Sequence, residues 1–250
     1  CCIFFLGVVK MMPRQKENPI VNIFINIIIP VVILRNGSDW LNYVEINALK
    51  THSDSFTFLI AILFPCIYFF YDLGQKKDIN FIAIIGFINV LLTGGIGIFG
   101  GKLGLSKNWF IIKEGSLPLM IGFILCAVSK YKRVTFNSVL LNDIIFDIDK
   151  IKNNLSENKK LALDNLSFNA GIHLIIGFFT SSIIQFILAS QIVTSNPGEP
   201  SFNKEVSTMT WISYIAVFLP TVVIVGRGLL KLMNGIENLT GLAKEDFLRT

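Results

Sequence analysis

Six long apolar segments determine what this chain of 250 residues can fold into. Hydrophobic residues make up 52% of the sequence and charged residues 16%, whereas a soluble domain carries about 25% charged residues. One core of this size cannot bury so many apolar side chains, which excludes a cytosolic enzyme, a secreted disulfide scaffold and a nucleic-acid-binding domain. A membrane-spanning helix needs about 20 apolar residues. The segments that qualify are 19–34, 55–72, 79–99, 109–128, 168–192 and 208–226.

The predicted fold class is all-α, a polytopic membrane protein with six transmembrane helices. The apolar runs are continuous rather than alternating, and continuous runs are typical of spanning helices rather than of barrel strands. The predicted layout is an amino-terminal cytoplasmic segment (1–18), transmembrane helices 1–4 (19–128), a cytoplasmic loop (129–167), transmembrane helices 5 and 6 (168–226) and a cytoplasmic tail (227–250).

The distribution of positive charge predicts the orientation. With six spans, both termini and the alternate loops share one side of the membrane, and that side holds 16 of the 22 Lys and Arg residues. The positive-inside rule therefore predicts that both termini are cytoplasmic. Trp40, Trp109 and Trp211 then fall at the outer interface, where amphipathic rings prefer to lie.

The start of the chain is unusual, because Cys1 and Cys2 stand where a starting Met is expected. A fragment, a processed product or an over-extended reading frame would each explain this start. The apolar run 1–9 is too short to span a bilayer and lacks the cleavage site of a signal peptide. Met11 or Met12 is a more natural start, so residues 1–10 are excluded from the predicted fold.

The loop 129–167 is predicted to carry an amphipathic helix on the membrane surface. Its apolar residues recur at helical spacing beside Asp and Lys residues, the pattern of a helix that lies in the interface. The acidic residues lack the spacing of a calcium-binding loop and are interpreted as a solvated helix face. The apolar residues are Ile144, Ile145, Ile148, Ile151 and Leu155.

Ionisable residues in the spans are the candidate functional positions, because a charge at the bilayer centre costs about 2.5–3.5 kcal/mol. Lys113 and Glu114 lie about one turn into the fourth span. Adjacent helical residues point about 100° apart, so we expect each to find a partner on another helix, or Lys113 to reach the surface. His173 in the fifth span is either a proton relay or a neutral side chain bonded between helices. Asp72 and Arg227 close the second and sixth spans.

The first and fifth spans share a polar pattern. A spacing of four residues keeps side chains near one face, so each helix is predicted to turn a polar stripe towards a neighbour. Either a duplicated helix pair or coincidence in an Asn- and Ile-rich chain explains the match. Under duplication, Asp72 and Arg227 are equivalent and pair across the bundle. The matched residues are Asn18, Asn22 and Asn26 in the first span, and Asn165, Asn169 and His173 in the fifth.

Glycine is concentrated at the end of the third span. Gly97 and Gly101 have the spacing of closely packed helices, and Gly94 and Gly95 lie just before them. These glycines predict close packing and a flexible break at the end of the third span. Prolines in four of the spans are expected to kink them, namely Pro30, Pro65, Pro118 and Pro220.

One stretch carries a resemblance to a known family. The run Leu91-Leu-Thr-Gly-Gly-Ile-Gly97, followed by Trp109-Phe-Ile-Ile-Lys113 and Pro118, resembles the bacterial intracellular septation protein A group, and most closely an uncharacterised six-span inner-membrane branch related to it. Tyr68, Tyr71 and Asp72 are similar to the end of the preceding helix in that family. The likeness covers residues 54–128, and the chain departs from it in a longer turn (100–108) and in its second half.

The resemblance implies a role in keeping the envelope of a bacterial cell intact, linked to division and wall synthesis. It also implies localisation in the inner membrane, with Asp72 and Lys113 as the charged positions in common. We therefore expect a non-enzymatic protein that acts through membrane lipids or other envelope or division membrane proteins, with no nucleic acid, metal or cofactor.

Two alternatives remain open. The first is a small transporter or channel for a solute or an ion, with a site built from Asp72, Lys113, Glu114, His173 and Arg227. The second is a membrane-embedded lipid-modifying enzyme. A polar cavity at the bilayer midplane would favour transport, whereas a core of interlocking small residues would favour the structural role.

Overall fold

The computed structural model describes residues 24–43, 53–75, 81–141 and 145–248 of the chain. Two compact units divide it. The pair unit, named for Lys113 and Glu114, comprises Gln15–Leu117 and Ile184–Ala216. The loop unit, which carries the 129–167 loop, comprises Cys1–Arg14, Pro118–Ile183 and Val217–Thr250.

Ten α-helices account for most of the described residues. A π-helical turn (Phe24–Ile28) precedes the first of them, and a 3-10 turn (Glu157–Lys159) precedes the seventh. The helices are α1 (Ile29–Asn42), α2 (Ser53–Gln75), α3 (Phe81–Phe99), α4 (Lys107–Tyr131), α5 (Arg133–Leu140), α6 (Ile148–Asn153), α7 (Lys160–Ile192), α8 (Phe202–Ala216), α9 (Phe218–Thr240) and α10 (Lys244–Phe247).

Five helical stretches are long and apolar enough to cross a membrane, as a polytopic helical membrane protein requires. The predicted third span corresponds to α3, whose residues 87–99 form a shorter apolar helix in the described part. The five stretches are Phe24–Asn42, Ser53–Tyr71, Lys107–Tyr131, Glu157–Ile192 and Phe202–Thr240.

In the pair unit, α1, α2, α3 and α8 pack around a core of phenylalanines. Phe58, Phe110 and Phe202 are each almost completely buried. The Phe202 ring stacks on Phe58 at 6.0 Å and meets the edge of Phe110 at 5.6 Å, geometries that add to the gain from burial. These ring contacts join α2, α4 and α8 within the pair unit.

In the loop unit, the predicted membrane-surface helix is instead part of the protein core. The helix α6 has only six residues, and Ile151 on its apolar face is 1% exposed. Ile151 belongs to one buried cluster with Phe146, Leu232 and Phe247. Of the five residues of the predicted apolar face, Ile148 and Ile151 lie in this helix, and the surface that covers Ile151 is the chain itself. Ile144 lies outside the described residues.

A contact between the loop and the tail holds α6 in place, and we call it the loop–tail clasp (residues 145–151 and 244–248). The backbone N–H of Asp147 donates to the carbonyl of Phe247 at 2.8 Å, and Phe146 forms an antiparallel bridge with Leu248. The rings of Phe146 and Phe247 stack at 6.3 Å. The chain turns back at Gly241 after α9, where a φ of 74° favours glycine.

Only two of the four prolines lie in the interior of a continuous helix. Pro65 lies within α2 and Pro118 within α4. Pro30 lies at the start of α1, directly after the π-helical turn Phe24–Ile28, so the hydrogen-bond pattern of this helical stretch changes next to the proline. Pro220 follows the interruption at Val217 that separates α8 from α9.

The helix α7 extends well beyond the apolar run that predicted it. Its 33 residues begin at Lys160, eight positions before the predicted span 168–192. At 1.5 Å per residue it is about 50 Å long, whereas the hydrocarbon core of a bilayer is about 30 Å thick. The additional turns, residues 160–167, carry Ser167, which is buried within the loop unit.

Candidate functional site

Lys113 and Glu114 form a buried ion pair in α4. Their side chains are 7% and 17% exposed, and Nζ of Lys113 lies 2.5 Å from Oε1 of Glu114. The expectation that neighbours in sequence would not pair with each other was wrong. It considered the direction of each Cα–Cβ bond, whereas the four-carbon stem of a lysine is long and flexible enough to bend back to the next residue.

The remaining hydrogen-bonding capacity of Lys113 is used by groups on α3 and α4. Its Nζ donates to Oγ1 of Thr93 on α3 at 2.6 Å. Thr93 in turn donates to the carbonyl of Asn89 at 2.9 Å. The ammonium group also lies 5.2 Å from the centre of the Phe110 ring, within the range of a cation–π contact. A lysine has three N–H donors, and these contacts leave Lys113 well satisfied inside the protein.

Packing around the pair is close. Gly115, the residue after Glu114, lies so near Phe186 of α7 that a Cβ there would come within 2.3 Å of the ring. The pair therefore lies where α3 and α7 pack on α4 within the pair unit, and its two charges are close enough to neutralise each other.

His173 belongs to the loop unit and is held by its own helix and by α9. Its Nδ1 lies 2.8 Å from the carbonyl oxygen of Asn169, one turn earlier in α7. On its other side, Gly228 of α9 approaches so closely that a Cβ there would be 2.8 Å from the His173 Cβ. The hydrogen bond is thus within α7, while the contact between helices is made through Gly228.

Of the two charges predicted at the ends of spans, the structure describes the side chain of Arg227 but not that of Asp72. Arg227 is exposed on α9. Asp72 falls in the last turns of α2, but its side chain lies outside the described part of the chain, so the predicted Asp72–Arg227 pair remains a prediction.

The glycines that were predicted to pack closely differ in what they contact. A Cβ on Gly94 would come within 2.1 Å of Ile62, and one on Gly97 within 2.5 Å of Phe58, so both allow α3 to approach α2. Gly95 faces open space. All three lie inside the continuous helix α3, and the break comes later, after Phe99.

The turn after α3 lies against a second turn of the pair unit. A Cβ on Gly101 would be 3.0 Å from the Cα of Gly198, and the Cβ of Pro197 lies near Gly100. A hydrogen bond adds to this approach, since Oδ1 of Asn196 accepts from the backbone N–H of Lys107 at 3.0 Å. Gly101 therefore serves a contact between turns rather than between helices.

The polar stripe of α7 points towards neighbouring helices over part of its length. In the loop unit, the Ser181 and Thr221 hydroxyls lie 2.8 Å apart, and in the pair unit Ser213 donates to Gln185 at 3.2 Å. Asn169, however, is exposed. A spacing of four residues advances 400°, so each step drifts 40° around the helix, and Asn169 has left the face that Gln185 occupies.

The corresponding stripe of the first span is described only in part. Asn26 lies half-buried in the π-helical turn before α1. Asn22 lies outside the described residues. Any match between the first and fifth spans therefore remains a prediction.

Two polar clusters in the pair unit were not anticipated. Ser38 donates to Oδ1 of Asp54 at 2.6 Å, and Asn203 donates to the carbonyl of Asp54 at 3.1 Å, which joins α1, α2 and α8. The carboxylate of Glu205 accepts from the backbone N–H groups of Thr194 and Ser195, each at 2.9 Å. Asp54 and Glu205 each lie in the first turn of a helix, where acidic residues are favoured, and this was the available signal.

Ion pairs and hydrogen bonds are the polar interactions that the structure shows at these positions. Within the described ranges, no three His, Cys, Asp or Glu side chains are grouped as a metal site would require. Comparisons with protein-family models, curated proteins and solved structures found no match.

Proposed function

We propose that this protein is a six-span, non-enzymatic protein of the bacterial inner membrane that helps to maintain the cell envelope through contacts with lipids or other membrane proteins. The observation that carries the proposal is that Lys113 and Glu114 pair with each other inside the protein. Charges that serve a passing substrate need an open approach, whereas Lys113 is 7% exposed and engaged by Glu114, Thr93 and the Phe110 ring.

Interlocking of small and large residues supports the same proposal. Gly97 receives Phe58, and Gly115 receives Phe186, in the pair unit. In the loop unit, Gly171 receives Phe136, with a Cβ position only 2.4 Å from the ring. Close approach at glycine is how membrane helices gain packing energy, because lipid gives them no hydrophobic drive to associate.

The orientation and the cellular role rest on the sequence. Both termini are proposed to be cytoplasmic because one side of a six-span arrangement holds 16 of the 22 Lys and Arg residues. The link to the envelope, and to division, comes from the resemblance of residues 54–128 to the septation protein A group. The partners are then membrane lipids or other envelope proteins.

A small transporter or channel is the second candidate, and the same ion pair is the observation that favours it. A lysine and a glutamate inside a span are costly to keep, and such residues often bind or relay ions. Under this function the Lys113–Glu114 pair would open during a transport cycle and Thr93 would be part of the exposed site.

Charge-neutralising variants of the pair separate the two candidates. The gene would be deleted from the bacterium and replaced by wild type, Lys113→Met, Glu114→Gln or the double variant. Survival under osmotic and detergent stress would be measured together with the abundance of each variant in the membrane. Asp72→Asn and Arg227→Met test the remaining span-end charges in the same way.

The double variant gives the decisive result. It removes both charges while keeping side chains of similar volume, so a structural pair predicts that it accumulates and rescues better than either single variant. If the double variant accumulates to the wild-type level and still fails to rescue, the charges themselves are used, and transport replaces the structural role.

A further inference from the structure

Exposed apolar stripes run along three helices of the loop unit and end at polar or charged residues. On α4, Met120, Phe123 and Ile124 are each more than half exposed, and the exposed residue two turns later is Lys130. Large exposed apolar side chains at helical spacing are the lipid-facing surface of a membrane helix. The stripe on α4 therefore ends in a cation where the hydrocarbon would end.

The other two helices repeat this arrangement. On α9, Leu219, Val223 and Leu230 are exposed by 54–57%, and Arg227 and Lys231 lie beside the last of them. On α7, the exposed isoleucines at positions 183 and 176 give way to exposed asparagines at 169 and 165. Three helices thus change from apolar to polar along their exposed faces.

Five exposed cations lie at these ends, and we call them the basic belt. None of the five forms an ion pair with another residue in the described stretches of the chain. They are Lys130, Lys132, Arg133, Arg227 and Lys231.

Contacts with α7 place Arg133 and Arg227 of the belt at a similar depth. Arg133 donates to Oδ1 of Asn165 at 2.6 Å and lies 4.4 Å from the Phe168 ring. Gly228, next to Arg227, packs on His173 and on the carbonyl of Ala170. The two contact points are centred about five residues apart along α7, which corresponds to about 8 Å of rise.

The same contacts place the belt on more than one side of α7. Residues 165 and 168 lie about 140° around the helix from residues 170 and 173, since each residue advances about 100°. Arg133 and Arg227 are therefore on different sides of this helix at a similar depth, which is how cations would be arranged around a protein at a membrane interface.

We propose that the basic belt binds the headgroups of anionic phospholipids. This inference deepens the proposed function, on which it rests, by naming the class of lipid. Ammonium groups of the three lysines supply mobile positive charge, whereas Arg133 is held in place by Asn165 and Phe168 with further N–H donors left for a phosphate. The basic belt is continuous with the exposed apolar stripes. This arrangement favours a phospholipid, because its headgroup can bind the cations while its acyl chains cover the stripes.

Lipid selectivity at the protein surface tests the proposal. The full chain would be reconstituted in phosphatidylcholine bilayers containing trace spin-labelled phosphatidylglycerol or spin-labelled phosphatidylcholine. The ratio of their association constants would be measured by electron spin resonance at low and high salt. Wild type is compared with Lys130→Gln/Lys132→Gln and with Arg227→Gln/Lys231→Gln. The control is Lys152→Gln/Lys160→Gln, which removes two exposed lysines of the same unit outside the belt.

We expect wild type to prefer phosphatidylglycerol, because a basic residue near an anionic surface contributes roughly fivefold to association at its own position. Averaged over the whole lipid shell, each belt variant should lower the preference about twofold or more, and high salt should lower it in wild type. The control should retain the wild-type preference. The number of motionally restricted lipids, which reports correct insertion, should be the same in all variants.

Two results would overturn the proposal. The first is a ratio of association constants equal to one in wild type. The second is an equal reduction of this ratio in the belt and control variants. The second result would assign the effect to net charge rather than to the belt. The complementation experiment with Lys113 and Glu114 tests the proposed function and does not depend on lipid selectivity. Failure of the belt proposal can therefore be distinguished from failure of the proposed function.

Discussion

Breaking the buried Lys113–Glu114 pair should cost far more stability than breaking an exposed pair of the same length. The chain offers a matched comparison, since Lys160 and Glu157 lie 2.6 Å apart but are 56% and 87% exposed. At about 2.5 Å two unit charges attract by about 7 kcal/mol in a medium of effective dielectric 20, and by less than about 2 kcal/mol in water. The distance between the charges is nearly the same in the two pairs, so we expect burial to determine the difference in their stabilising energy.

The single variants Lys113→Met and Glu114→Gln should each destabilise the protein by about 3–5 kcal/mol, because each leaves the partner charge buried and uncompensated. The double variant should cost only about 1 kcal/mol, since it leaves no charge behind. The resulting coupling energy is at least about 5 kcal/mol, against less than about 1 kcal/mol for the exposed pair treated in the same way.

Equilibrium unfolding by dodecyl sulfate in mixed micelles, followed by tryptophan fluorescence, would give these free energies. Both cycles would be measured in the same detergent, with Lys160→Met and Glu157→Gln as the control singles. Equal coupling energies in the two cycles would refute the reasoning, because burial would then have no bearing on the strength of the pair.

Two further predictions concern packing. Gly97→Ala should lower the free energy of unfolding by about 1–3 kcal/mol, because its Cβ would fall 2.5 Å from the Phe58 ring. Gly95→Ala, which meets open space, should be neutral or stabilising by up to about 1 kcal/mol in the same unfolding assay. Phe247→Ala should cost about 3–5 kcal/mol, since this side chain is fully buried in the loop–tail clasp. Limited trypsin digestion should then cut the 145–153 segment faster than in wild type or in the exposed control Glu245→Ala, and equal rates would contradict a stabilising clasp.

The sequence predicted the membrane helices because a single physical requirement produces them. Any helix that crosses a bilayer needs a long apolar run, and each of the predicted runs 55–72, 109–128 and 168–192 lies within one helix of the structure. It did not predict how far α7 continues before residue 168. Those turns are stabilised by contacts such as Leu166 with Gly235, which depend on residues almost 70 positions away.

The sequence singled out Lys113 and Glu114 as candidate positions but did not predict their geometry. Lys113 and Glu114 were recognised from their charge in an apolar run, and that signal is local. Their pairing depends on the bend of one flexible side chain and on Thr93 of α3, which no local pattern encodes. The same limit explains Ile151, because an apolar helix face has the same spacing whether lipid or Phe247 covers it.

The loop–tail clasp has a consequence for the order in which the protein is made. The rings of Phe146 and Phe247 stack on each other but lie about 100 residues apart in the sequence. During synthesis Phe146 is therefore made well before the residue that covers it. At about 5–20 residues per second, that interval is roughly 5–20 s, during which the apolar side chains of the loop lack their cover. The clasp can close only after residue 247 has been made. A chain that stops before that point keeps the apolar side chains of the loop uncovered, and exposed apolar surface is what makes incomplete chains prone to aggregate.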